Sequence, residues 1–185
     1  ASPDAPPATA YGFDIHRAVN ANPDGWDVNQ AYFRAQSSRY FMDEALKFIE
    51  ANRDRPFYVQ TWLLLPHAIL HPTDDQMKPY QRFAPAKNLP YKGTKPIYYG
   101  SVSAIDAQMG RLLKRLDELN LSENTIVVFT SDNGPEDIAL RTAAHSGIGS
   151  AGPFRARKRS LYEGGVRVPF IVRQPGTVPP GKVDR

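Results

Sequence analysis

The sequence of 185 residues contains no cysteine, which excludes a disulfide framework or thiolate chemistry among these residues. No apolar run approaches the roughly 20 residues that a membrane-spanning helix needs. An excess of one charge sign is also nearly absent: 23 Lys and Arg against 19 Asp and Glu leave a net charge of +4. Such a small, scattered excess does not predict a nucleic-acid partner, although it is compatible with an anionic substrate.

Two segments show the spacing of amphipathic helices. Apolar residues at helical spacing predict one helix from Ser38 to Glu50, with Ser38 as its candidate N-cap. A longer apolar stripe consists of Val102, Ile105, Met109, Leu112, Leu113, Leu116 and Leu119. It predicts a second helix within residues 97–121 whose charged residues face water.

Three short apolar segments are predicted to be strands: 56–65, Ile126 to Phe129, and 166–172. The first is nearly continuous in apolar character, which is typical of a strand covered on both faces, as in a parallel sheet. Residues 68–96 show no clear period and are expected to form a long loop, functional or disordered.

This alternation of strands and helices predicts an α/β fold with a mainly parallel sheet flanked by helices. In such sheets, ligands bind beyond the carboxyl ends of the strands. His67 and the pair Asp132 and Asn133 each follow a predicted strand. Both are therefore expected at the same edge of the sheet.

Asp132 and Asn133 are the candidate metal ligands. A carboxylate and an amide carbonyl are the oxygen donors that Ca²⁺ or Mg²⁺ prefers. The following Gly134 is expected to permit a sharp turn with positive φ. The alternative is a simple Asp-Asn-Gly turn after a strand, which is a common arrangement.

Two histidines are candidate substrate contacts. An imidazole at His67 could donate to an anionic oxygen or protonate a leaving group. His145 lies among small residues that permit close approach of a ligand. Ordinary loop histidines are the alternative in both cases. A metal pair between His67 and His71 is disfavoured, because Pro72 and the loop context oppose a regular helix there.

A basic segment with Arg155, Arg157, Lys158 and Arg159 precedes the last predicted strand. A lysine in it is suited to a sulfate or phosphate oxygen, whereas the alternative is a solvated basic loop. Glu163 is interpreted as structural, bonding backbone amides or an arginine four residues later, rather than as a general base.

Four segments together resemble the sulfatase family of the alkaline-phosphatase-like superfamily. The first, "YGFD" at residues 11–14, resembles the residues after the family's "GKWHLG" motif. The second, residues 56–72, is similar to its strand and Pro-His signature. Residues 98–134 are similar to its helix and metal-ligand strand, and 152–176 to its "K…YEGG.R.P" segment. The resemblance implies a partial alkaline-phosphatase-like three-layer fold.

The resemblance also implies a role for each candidate. Asp132 and Asn133 match the second pair of ligands of a single divalent cation, most often Ca²⁺, with Mg²⁺ as the alternative. His67 matches the histidine that contacts the sulfate ester and its bridging oxygen, and Lys158 matches the lysine that binds sulfate oxygens. Lys158 is then expected to point inward, with Arg157 and Arg159 as surface or substrate-rim charges.

Residues 1–185 depart from the family pattern in ways that imply an internal fragment. The family nucleophile is a formylglycine made in a Cys/Ser-x-Pro-x-Arg motif, which this sequence lacks. The first acidic metal pair and the C-terminal subdomain of the family are also without a match. We therefore expect the second half of a catalytic domain, opening with a flexible loop at 1–10, and expect it to be inactive in isolation.

The activity implied for the parent protein is hydrolysis of sulfuric esters, on a sulfated carbohydrate or an aryl sulfate. A phosphodiesterase or phosphonate monoester hydrolase of the same superfamily is the first alternative. A non-catalytic module that binds polyanions through its arginines is the second. A secreted or periplasmic location is expected of the parent by family resemblance, and the oligomeric state is undetermined.

Overall fold

The computed structural model describes residues 6–16, 31–67, 69–83, 94–137 and 145–183, with side chains from residue 35 onward in the first long helix. The helices are α1 (Ala31–Ala51), α2 (Asp74–Met77), α3 (Thr94–Glu118) and α4 (Glu163–Val166), and the strands are β1 (Val127–Thr130) and β2 (Phe170–Arg173). Short 3₁₀ turns occupy Ala8–Tyr11, Lys78–Phe83, Ser122–Asn124 and Ser146–Ile148. No helix among these is both long and apolar enough to cross a membrane.

Both predicted long helices are confirmed, but α1 begins earlier than its sequence signal indicated. Ser38 lies inside α1 and is buried rather than capping its first turn. Ser37 beside it is also buried, so two small side chains occupy positions where α1 is covered by its neighbours. The serine pair therefore marks close packing, and the prediction of an N-cap there was wrong.

Residues 68–96 contain more structure than the expected loop. Thr73 caps α2: its hydroxyl accepts from the N–H of Gln76 at 3.3 Å, and the Gln76 side chain accepts from the N–H of Thr73 at 2.8 Å. This is a capping box, which the order Thr-x-x-Gln encodes directly. The amide of Gln76 also donates to the Ala35 carbonyl at 3.2 Å, which fastens α2 to α1.

Two apolar clusters form the core, and both include residues of α3. Met42, Ala45 and Leu46 of α1 form the first, with Val59, Met109 and Leu112 packed against them. Leu65, Leu70 and Ile105 form the second, with Leu63, Ile97, Tyr98, Ala104, Met109 and Phe129 packed against them. Met109 contacts both clusters, so α3 is the central element that the chain is built around.

The described residues form a small antiparallel sheet rather than the predicted mainly parallel one. β1 and β2 pair antiparallel, with Val127 opposite Arg173 and Phe129 opposite Ile171, and they are the only strands within the described ranges. Hydrophobic pattern predicts that a segment is extended, but it does not encode strand direction. Direction depends on the connection, and the described residues between β1 and β2, 131–137 and 145–169, contain no helix longer than the four residues of α4.

The prediction of a strand at 56–65 was also wrong. Its residues alternate between half-buried and exposed from Phe57 to Leu63, and no strand pairing is assigned to them. Tyr58 is 70% exposed and Trp62 is 77% exposed. The apolar run suggested cover on both faces, whereas this chain covers one face only, through Val59, Leu63 and Leu65.

Candidate active site

The second apolar cluster places the His67 turn near the end of β1. His67 lies on a turn between Leu65 and Leu70, with its N–H donating to the Leu64 carbonyl at 3.0 Å. The two flanking leucines are buried in the cluster that also contacts Phe129 of β1. The two buried leucines thus hold the turn against the core, while the His67 side chain is exposed at the surface. The common edge predicted for His67 and Asp132 stays a prediction, since residues 56–65 form no strand and the contact between the two segments is through Phe129.

Asp132 and Asn133 follow β1 directly. Asp132 is exposed and Asn133 is half-buried. The Asn133 Nδ2 donates to the Gly134 carbonyl at 3.0 Å, and the hydroxyl of Ser131 donates to the Asn133 carbonyl at 3.1 Å. The Nδ2 bond orients the side-chain amide through its donor side, which leaves Oδ1 as the ligand side, whereas the Ser131 bond is to the main-chain carbonyl of Asn133.

Gly134 is required for a reason other than the expected positive φ. The glycines with left-handed φ in the structure are Gly12, Gly152, Gly176 and Gly181. A Cβ at Gly134 would instead overlap with the carbonyl oxygen of Gly164. The Gly134 N–H donates to the Gly165 carbonyl at 2.8 Å. The end of β1 and the start of α4 therefore meet backbone to backbone.

The same interface brings in Lys158. Its N–H donates to the Pro135 carbonyl at 2.9 Å, two residues after Asn133. Lys158 is half-buried, and its positive charge contributes to holding the pKa of the Glu136 carboxyl below its usual value. The larger causes of that low pKa are the bond from Arg159 and the N–H of Asp137 at 2.7 Å, against an opposing effect of burial.

His145 lies on the neighbouring segment 145–149, which packs against the first half of α3. Burial lowers the pKa of the His145 imidazole, and the nearby His71 imidazole lowers it further. The structure thus brings His145 close to His71, a proximity that no pattern in the sequence predicts. A neutral imidazole at His145 is the form that this environment favours at pH 7.

The three arginines of the basic segment make different contacts. Arg155 stacks over the Tyr162 ring at 3.8 Å, and Arg159 forms an ion pair with Glu136. Arg157 is half-buried and donates to backbone carbonyls, so its prediction as a surface or rim charge was wrong. Nothing in the sequence distinguishes Arg157 from the two arginines beside it, because only the folded loops supply its acceptors.

Glu163 has the structural role that was predicted. Its carboxylate accepts from the Arg167 guanidinium at 2.9 Å, and Glu163 opens α4. Arg167 also lies over the Phe154 ring at 4.7 Å. The turn that precedes β2 is thereby fixed by a short helix, an ion pair and a cation–π contact.

Asp132 and Asn133 fit part of a site for a hard cation. A carboxylate and an amide oxygen have the right chemistry, but Ca²⁺ takes six to eight oxygens. Across the ranges that the structure describes, no group of three or more His, Asp or Glu side chains is arranged to hold a metal ion. These two residues would thus be a minority of a complete ligand set.

Comparisons with known proteins agree with the motifs. A family model described as Sulfatase matches residues 4–185. An N-acetylgalactosamine-6-sulfatase from Canis lupus familiaris is 34% identical over 160 residues, which cover 84% of this chain and 27% of that protein. An arylsulfatase from Hemicentrotus pulcherrimus is 35% identical over 154 residues, covering 83% and 25%.

Solved structures show the same relationship. The crystal structure of Ps i-CgsB in complex with k-i-k-neocarrahexaose matches with a TM-score of 0.64 at 29% identity, covering 77% of this chain and 29% of that one. PsFucS1 sulfatase from Pseudoalteromonas sp. matches with a TM-score of 0.61 at 27% identity, covering 84% and 28%. The chain spans about a quarter of the length of the curated relatives it matches. The family match covers nearly every residue, and the chain belongs to the sulfatase family.

Proposed function

We propose that this chain contributes the metal-strand and lysine half of the catalytic domain of a sulfuric ester hydrolase. The observation that carries the proposal is the backbone junction between the turn after Asn133 and the loop of Lys158. That junction places a carboxylate, an amide oxygen and an ammonium group on adjoining segments. A sulfuryl group carries dispersed negative charge, which preorganised cations stabilise in its transition state.

The proposed roles follow the chemistry of each side chain. Asp132 and Asn133 supply oxygens to a divalent cation, most often Ca²⁺ in this family, with Mg²⁺ as the alternative. The cation would polarise a sulfuryl oxygen when bound. The Lys158 ammonium binds sulfate oxygens as a compact charge, and His67 donates a proton to the ester oxygen as the alcohol leaves. His145 contributes a neutral imidazole on the substrate side.

The nucleophile is proposed to lie elsewhere in the full-length protein. These 185 residues hold no cysteine and no Ser-x-Pro-x-Arg sequence from which formylglycine could be made. We also propose that the full-length domain has the three-layer fold of its family with a mainly parallel sheet, which similarity to solved sulfatases supports. The isolated chain is expected to hydrolyse no aryl sulfate above a Lys158→Ala control and to bind metal weakly.

A sulfated carbohydrate is the proposed substrate class, with an aryl sulfate as the second candidate. Similarity to proteins named N-acetylgalactosamine-6-sulfatase supports the first, as does similarity to a protein solved with a neocarrahexaose. Similarity to a protein named arylsulfatase supports the second. The exposed Arg155, which lies over the ring of Tyr162, offers a cation that suits an anionic sugar.

The test uses the full-length protein with paired sulfate and phosphate esters of the same alcohol. We expect sulfate turnover, which Asp132→Ala lowers at least about 100-fold and Lys158→Ala lowers about 100- to 1,000-fold. Asp137→Ala is the matched control, since it removes a carboxylate from the same excursion outside the proposed cation site. Chelation by EDTA is expected to abolish turnover and added Ca²⁺ to restore it.

Two results would each favour one of the alternative functions. Faster hydrolysis of the phosphate ester would favour the phosphodiesterase or phosphonate hydrolase. No hydrolysis of either ester, together with salt-sensitive binding to heparin that Asp132→Ala leaves intact, would favour the polyanion-binding module.

A further inference from the structure

We propose that Arg157 is a positioning residue of the proposed sulfatase site. Its guanidinium fastens the segment 145–149 to the turn after Asn133, and this fixes where His145 and Lys158 face a substrate. The inference rests on the proposed function for its catalytic consequence, while the fastening itself stands on the geometry alone.

Arg157 uses its fork of N–H groups on acceptors from two separate segments. Nε donates to the Glu136 carbonyl at 2.8 Å, and Nη2 donates to the Gly147 carbonyl at 2.9 Å. Nη2 also bonds the Gly149 carbonyl. A guanidinium holds these donors in a fixed plane, whereas an ammonium is a single point with rotatable donors. Half-buried charge–carbonyl bonds of this kind are stronger than neutral ones.

The segment that Arg157 holds is also packed tightly on its other side. A Cβ at Gly149 would lie 2.9 Å from both the Pro135 Cβ and the Tyr98 Oη, which is too close for a real side chain. Burial raises the pKa of the Tyr98 phenol, while the charge of Arg157 acts in the opposite direction. Arg157 therefore closes a small assembly made of α3, segment 145–149 and the turn at Pro135.

Catalytic side chains adjoin this assembly at both ends. Lys158 is the next residue after Arg157, and its own N–H bonds Pro135. His145 begins the segment that Arg157 holds through Gly147 and Gly149. Loss of the guanidinium would free both segments to shift, and a misplacement of about 1 Å in a catalytic group can cost about 100-fold in rate.

Arg159 provides the comparison within the same loop. Its bonds in the described structure go to the Glu136 carboxylate, its side chain is 56% exposed, and no backbone carbonyl acceptor is recorded for it there. Removing Arg159 takes away the same charge at nearly the same place. A difference in kcat between Arg157→Ala and Arg159→Ala therefore measures the effect of the Arg157 hydrogen bonds and not the loss of one positive charge.

The experiment measures steady-state hydrolysis of a sulfate ester by the full-length protein. Arg157→Ala is expected to lower kcat by about 30- to 100-fold with KM changed less than about threefold. Arg157→Lys is expected to be intermediate, and Arg159→Ala to lose less than about threefold, because the Arg159 side chain is 56% exposed and bonds a single carboxylate. Millimolar guanidinium is expected to restore part of the activity of Arg157→Ala and none of that of Arg159→Ala.

The proposal is overturned if Arg157→Ala and Arg159→Ala lose kcat equally, or if guanidinium restores neither. Should Arg157→Ala fail to fold, Arg157→Lys decides, and a kcat within about twofold of wild type would count against the fastening. If wild type hydrolyses no sulfate ester, the proposed function fails by itself. Amide hydrogen exchange at 145–149 then tests the fastening: Arg157→Ala should speed it at least about tenfold over Arg159→Ala, and equal exchange would refute it.

Discussion

Substitution of Gly134 by alanine tests whether backbone contact holds the end of β1 against α4. Gly134 is buried, and a Cβ there would overlap with the Gly164 carbonyl oxygen and lie 3.2 Å from the Gly165 Cα. Both neighbours are backbone atoms, so neither can rotate away as a long side chain would. The 2.8 Å bond from the Gly134 N–H to the Gly165 carbonyl lengthens if the two segments separate.

The magnitude follows from these contacts. Overpacking of a tight site costs about 1–3 kcal/mol, and weakening one buried hydrogen bond adds about 1 kcal/mol. The smaller conformational entropy of unfolded alanine offsets about 0.4–1 kcal/mol. We therefore expect Gly134→Ala to lower the free energy of unfolding by about 2–3 kcal/mol.

Urea unfolding of the full-length protein measures this loss, and Gly110→Ala is the matched control. Gly110 lies within α3, and a Cβ there meets nothing within 4 Å outside its own helix. Helix propensity predicts that this control gains up to about 1 kcal/mol. If Gly134→Ala unfolds within about 0.5 kcal/mol of wild type, backbone contact does not hold the junction and the reasoning is refuted.

Two further predictions concern the supports of the site. Leu70 is 1% exposed and holds the His67 turn in the core, so Leu70→Ala should lower the free energy of unfolding in urea by about 2–5 kcal/mol. The control Ile69→Ala, at a side chain that is 48% exposed, should lower it by less than about 1 kcal/mol. Equal losses would contradict the role of Leu70. The Arg159 bond lowers the pKa of the Glu136 carboxyl in the folded protein. The ionised carboxylate therefore stabilises the fold at pH values above the pKa of Glu136 in the unfolded chain. This contribution is lost as the pH falls through the lower pKa of Glu136 in the folded protein. Glu136→Gln should therefore unfold at lower urea than wild type at pH 7, with the gap closing below about pH 4, and a gap that widens in acid would contradict this assignment.

The sequence predicted those features whose cause is local. Ile105 and Leu116 are buried because a period of 3.6 residues places them on one face of α3, as the apolar stripe indicated. Val102 belongs to the same stripe but is exposed, because α3 turns Gly100 and Ser101 inward at its first half. Gly100 packs there against the Gln76 backbone, a contact from another helix that no local pattern records.

Sequence patterns single out candidate site residues, but they do not predict the contacts that join the segments carrying them. Asp132 and Asn133 stand out by type and by position after a predicted strand, and Lys158 by its place in the basic segment before the last one; the fold brings their segments together. The structural value of Arg157 was hidden, because its acceptors are carbonyls of two loops distant in sequence. Strand direction was missed for a similar reason, since pairing depends on partners rather than on the apolar run itself.

Main-chain contacts set the spacing between the turn after Asn133 and the loop of Lys158. Gly134, Gly164 and Gly165 all lie so close to facing carbonyl oxygens that a Cβ at any of them would overlap. The spacing between the turn after Asn133 and the loop of Lys158 is therefore set by main chain against main chain, with no side chain between them. Rigid backbone contact fixes the two segments more closely than flexible side chains could. A methyl group at this junction would widen it, and so would weaken the proposed binding of a sulfuryl group by both cation and lysine, because such stabilisation depends on preorganised charge.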